Sequence, residues 1–230
     1  MLSALAIVPS APVLVPELVG AAATELVDLS SAARAAVADL PEHWLIVGTG
    51  PASQQLSPDT VGTFAGFGVD LPVRLAPDAA DRSVPCDVPV SVLIGAWLRS
   101  RERPRASAEA RVWATDGDLV DAVAAGRLLR AELDARPEPV GVLVVADGAN
   151  ALTASAPGGH QPELVAVQQD LDDALAHGDV AALAGLPAPV HGRVAFAVLA
   201  GLAGSGPRAA RELYRGAPLG VGYFVGVWRP

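Results

Sequence analysis

The chain has 230 residues, 51% of them hydrophobic and 18% charged, which is enough apolar material for one substantial core. Its 16 basic against 25 acidic residues leave a net charge of −9, and only 4% of it is aromatic; both argue against nucleic acid, and the charge also argues against an anionic membrane surface. A single cysteine, Cys86, excludes an internal disulfide and any cysteine-rich metal or iron–sulfur centre, fits a reducing cytoplasm, and reads as an inert thiol among Pro85, Asp87 and Pro89.

Leu2 to Val8 is apolar but lacks the basic flank and small-residue cleavage site of a signal peptide, so it predicts a buried first strand. It runs into IVPSAPVLVPE (7–17), where closely spaced prolines stiffen a turn that presents Ser10. Pro16 to Leu40 carries apolar residues at helical spacing. A second buried strand, WLIVG (44–48), breaks at GTGP (48–51). The stretch 52–90 is rich in Pro, Gly and Asp and reads as loops or a lid, with an edge strand within 66–75.

Next come a helix over 90–100, a strand over 111–115, a helix over 118–135 and a clear buried strand over 140–147. That strand ends in ADGANALTASAPGG (146–159), small residues at a strand's carboxyl end, where open α/β sheets place their binding crevice. A helix follows over 162–178, with Pro162 at its start and Gly178 at its end, then a short helix over 180–184, another over 190–203 and a terminal strand over 219–228. The stretch 189–206 comes nearest to a membrane span, but His191 and Arg193 inside it favour a buried helix. The alternation predicts one α/β domain over 1–230, a three-layer α/β/α sandwich around a largely buried mixed sheet.

The common chemical motifs are missing. GTGPAS (48–53) lacks the third glycine of a dinucleotide fingerprint, and neither a phosphate-binding P-loop nor a G-x-S-x-G nucleophile elbow occurs. His43, His160, His177 and His191 are too dispersed for a helix or strand to aim two imidazoles at one ion. Among them His160 stands beside the expected crevice, whereas His43 reads as a strand-entry residue, His177 as a helix C-terminal charge and His191 as a helix-start residue. Asp147, at the end of the central strand, serves equally as a ligand, a base or a cap.

Three stretches together resemble the class III extradiol ring-cleavage dioxygenases of the LigB type, most closely the subunit-B-like branch found in actinobacterial proteins. PSAPVLVPEL (9–18) is similar to the family's Pro-His-Pro-Pro-Leu-Leu-x-Pro-Glu strand end. The stretch 146–164 resembles its Gly-Asp-x-Ser-His-x-Leu-Thr-x-x-Ala-Pro-x-Gly-Tyr segment at Asp147, Leu152, Thr153, Ala156, Pro157 and Gly159. YRGAPLGVGYFVGVW (214–228) resembles its closing strand at Tyr214, Pro218, Gly220, Val221 and Tyr223.

The resemblance implies a site in which two histidines and a carboxylate hold Fe(II), with open positions for a catecholate and O₂. It places the family's histidines on Ser10, Gly50 and Asn150, residues that cannot replace imidazole, and the only acid after Asp179 is Glu212, which reads as part of a solvated helix face. The expectation is therefore a degenerate member with no metal or cofactor. Its crevice, bounded by Ser10, Thr49, Gly50, Asp147, Asn150 and His160, would bind a small polar molecule or a protein partner, a second copy of the chain included. The alternative is a metal-dependent oxidoreductase with a rearranged ligand set of His160, Asp147 and His43.

Overall fold

The computed structural model describes residues 1–20, 26–79 and 87–230. Cys86, part of the helix expected over Pro16–Leu40 and part of the 52–90 loops lie outside them. The chain runs β1 (Leu2–Val8), α1 (Pro16–Val19), α2 (Val27–Ala38), β2 (His43–Gly50), β3 (Gln54–Leu56), β4 (Val61–Thr63), β5 (Pro72–Arg74), α3 (Val90–Glu102) and β6 (Ser107–Ala114). It continues through α4 (Leu119–Asp134), β7 (Val140–Val145), α5 (Leu164–His177), α6 (Val180–Leu183), α7 (Arg193–Ala203), β8 (Ala209–Gly216) and β9 (Tyr223–Arg229).

Seven strands form one mixed sheet in the order β3-β6-β2-β7-β1-β9-β8. The four middle strands are parallel, β3 lies antiparallel on β6, and β9 and β8 close the other side antiparallel. Parallel strands covered on both faces read as unbroken apolar runs, and VGVLVV of β7 is buried at every position. Alternate residues of each strand feed two cores. Ala6, Val8 and Ile46 join α2 and α3 on one face, while Leu5, Ile7 and Leu45 join α4, α5 and α7 on the other. The result is the α/β/α sandwich expected from the alternation of elements.

Three expectations are corrected. The helix expected over Pro16–Leu40 is two described helices, because α1 ends at Gly20, whose φ of 53° leaves the right-handed region. The edge strand expected within 66–75 is extended only over Pro72–Arg74, since Gly68 (φ 93°) ends a 3₁₀ turn over Phe64–Phe67. The charged stretch around Glu212, read as a helix face, is the edge strand β8, and Glu212 pairs with Arg215. No helix among the described residues is long and apolar enough to cross a membrane.

Candidate functional site at the carboxyl ends of the strands

Because β1, β2, β6 and β7 are parallel, their carboxyl ends and the loops that follow them gather at one edge of the sheet. A cavity of about 320 Å³ opens there. Ser10 enters it just past β1, Thr49 and Gly50 from the end of β2, Thr115 just past β6, Asp147 just past β7, and His191 from the turn that starts α7.

Asp147 sits at the centre of this arrangement. One carboxylate oxygen accepts the Ser10 backbone N–H at 2.8 Å, so the proline-stiffened turn after β1 is tied to the end of β7. Burial pushes the Asp147 carboxyl up to about 7, a rise that the Ser10 N–H only partly offsets. Burial, and secondarily the nearby Asp147 carboxyl, push the Tyr223 phenol up as well. The Asp147 carbonyl accepts the Gly192 N–H at 2.8 Å, and a Cβ on Gly192 would lie 2.8 Å from that oxygen, so the first turn of α7 closes directly on the site.

Behind Asp147 the loop is knitted to the turn that connects β8 and β9. The Gly148 N–H donates to Gly222 at 2.9 Å, the Gly222 N–H to Ala149 at 2.8 Å and the Leu152 N–H to Gly220 at 3.0 Å. The buried Gln168 of α5 accepts the Ala149 N–H at 2.9 Å and donates to Asp172 at 2.8 Å. Its amide fills the space that side chains at Gly148 and Gly222 would need, with a Cβ at either position coming within about 2 Å of it.

Ser10, Thr49, Gly50 and Asp147 thus line one cavity, while Asn150 and His160 are not among its lining residues. The Asn150 side chain lies against Gly158, where a Cβ would be 2.4 Å from Asn150 Oδ1, and the Asn150 backbone carbonyl accepts the Gly158 N–H at 2.9 Å. His160 is exposed on the outside of that loop. His43 begins β2 and Gly50 ends it, a separation of roughly 23 Å at strand rise, so His160, Asp147 and His43 do not converge. Thr115 and His191 escaped sequence reasoning. The end of the strand predicted over 111–115 marked Thr115, but nothing local shows that the start of α7 faces the cavity.

The donor set does not fit Fe(II) held by two histidines and a carboxylate. The cavity offers one imidazole, His191, and one carboxyl, Asp147, beside hydroxyls. Among the described residues no three His, Cys, Asp or Glu side chains stand close enough to share an ion. The wall has also closed at Gly50, where a Cβ would press on Pro89 and Val112 at 3.1 Å.

No family model and no curated protein matches the chain. Among solved structures, the crystal structure of uncharacterized protein JW3007 from Escherichia coli K12 is similar with a TM-score of 0.54 at 9% identity, over 99% of this chain and 100% of that one. The likeness at this identity is one of fold, and it extends over the whole sandwich.

Proposed function

We propose that the chain is a degenerate relative of the class III extradiol dioxygenases of the LigB, subunit-B-like type, in which ring cleavage has been lost and the strand-end cavity binds a small polar molecule. The observation that carries this reading is the convergence of the three resembling stretches. The turn around Ser10, the loop after Asp147 and the segment around Gly220 and Gly222 are separated by up to about two hundred residues, yet they are joined in series, the Ser10 N–H to the Asp147 carboxylate beside the cavity and backbone hydrogen bonds from the loop behind Asp147 to Gly220 and Gly222. Its volume of about 320 Å³ is at the lower end of small-ligand sites, which run from roughly 300 to 1,000 Å³. Its hydroxyls, imidazole and carboxyl suit a hydroxylated or carboxylated compound better than a catecholate on iron.

The test pairs two measurements. Anaerobic titration with Fe(II), followed by oxygen uptake on protocatechuate, is expected to give neither one-to-one metal binding in the micromolar range nor turnover. A thermal-shift panel of small hydroxy acids and polyols is expected to stabilise the native protein and not Thr49→Leu, in which the cavity is filled. Stoichiometric iron binding with oxygen consumption would replace this reading by a working oxidoreductase with a rearranged ligand set.

A further inference from the structure

A second, larger cavity of about 540 Å³ lies at the opposite end of the sheet, where β1 and β7 begin and β9 ends. It exists because small side chains face one another across the gap between α2 and the sheet. Ala36 of α2 and Ala4 of β1 leave space that larger residues would fill, and Leu40, Pro41 and Val227 complete an apolar wall.

Two arginines stand over this apolar interior. In the β8–β9 register Arg211 is opposite Val227 and Ala209 is opposite Arg229, which puts both guanidinium-bearing residues on the α2 side of the sheet as diagonal neighbours, with Cβ atoms roughly 7 Å apart. Both line the cavity, and neither side chain has an ion-pair or hydrogen-bond partner among the described residues. Their neighbour Arg215, by contrast, is bonded to Glu212 and Asp173. Asp39 is the one acid in the lining, so this cavity is net positive in a chain of net charge −9.

We propose that this cavity is a binding site for a small amphiphilic anion, a short apolar body carrying a carboxylate or phosphate head. The apolar body occupies the alanine-lined gap, and the head is held between Arg211 and Arg229, whose planar forks match an oxyanion. The inference does not depend on the reading of the strand-end cavity, from which the site is separated by the length of the sheet.

Isothermal titration at low ionic strength with octyl phosphate and with octanoate tests it, with 1-octanol and inorganic phosphate as partial probes. Saturable one-to-one binding of either amphiphile is expected, and which of the two binds more tightly identifies the head group. Arg211→Gln and Arg229→Gln are each expected to weaken binding about tenfold, and the exposed-helix substitution Ala35→Leu to block the mouth, with circular dichroism and melting temperature unchanged. The proposal is overturned if neither amphiphile binds below about 1 mM, if the double arginine variant binds as well as the native chain, or if inorganic phosphate binds as tightly as octyl phosphate.

Discussion

Asp147 shows what the strand-end cavity costs the fold. With its carboxyl raised from 3.8 to about 7, the folded chain keeps a proton that the unfolded chain has released between those pH values. The group's contribution to stability is fully present below about pH 4 and is lost as pH rises through 7, a difference of roughly 4 kcal/mol. Asp172, raised to about 6 chiefly by burial, acts in the same direction over a narrower window. Asp147→Asn keeps an acceptor for the Ser10 N–H and removes the charge, so it should be more stable than the native protein at pH 8 by about 2–4 kcal/mol. Its loss of stability between pH 4 and 7 should also be shallower, as read from urea midpoints across that range. A variant less stable than native at pH 8 would mean that the carboxylate is paid back by a cation, contrary to the geometry described. A partly buried acid that lowers stability at neutral pH, at the mouth of a cavity, fits the binding role proposed for that cavity.

At the scale of elements, the pair α4–α7 depends on backbone contact. A Cβ at Gly126 would lie 2.2 Å from the Val198 carbonyl oxygen, and one at Gly201 would lie 2.2 Å from that of Val123. The obstacles are backbone atoms that cannot rotate away, so Gly126→Ala should destabilise by at least about 2 kcal/mol, although alanine is the better helix former by nearly 1 kcal/mol. Gly185→Ala, where a Cβ meets nothing within 4 Å, should stay within about 0.5 kcal/mol of native in the same urea titration. Equal effects at the two glycines would refute the close crossing. Elements of this kind were legible in proportion to how local their cause is. β7 and β2 declare themselves as apolar runs, and α5 by its terminal signals Pro162 and Gly178. β8 did not, because AARELYRG carries its charges at spacings a helix face would also show, and only pairing with β9 makes it a strand. In the site, Asp147 is legible from the rule that crevices form at strand ends, whereas Ser10, Gly50 and Asn150 rest on the family resemblance and His160 on nearness in sequence. The cavity is lined by Ser10, Thr49, Gly50 and Asp147 and not by Asn150 or His160, and His191 reaches it through the docking of α7.

For the whole molecule, the decisive feature is that no layer owns its core. Leu5 and Ile7 serve one face of β1 and Ala6 and Val8 the other, and β2 divides in the same way at Leu45 and Ile46. Losing either helical layer would expose one side of strands that the other layer still needs, so the two cores should melt together rather than in sequence. The four tryptophans allow this to be measured: Trp44 and Trp97 lie in the core with α2 and α3, while Trp228 lies in the core with α5 and α7, against which the half-buried Trp113 also packs. Urea unfolding of native protein should give coincident single transitions by far-ultraviolet circular dichroism and by tryptophan fluorescence. Trp44→Phe and Trp228→Phe bias the fluorescence toward opposite layers, and each should shift its midpoint while keeping the two probes superimposed. A fluorescence transition that separates from the dichroism in one variant and not the other would show that a layer can unfold alone. That outcome would contradict the reading of residues 1–230 as one cooperative domain.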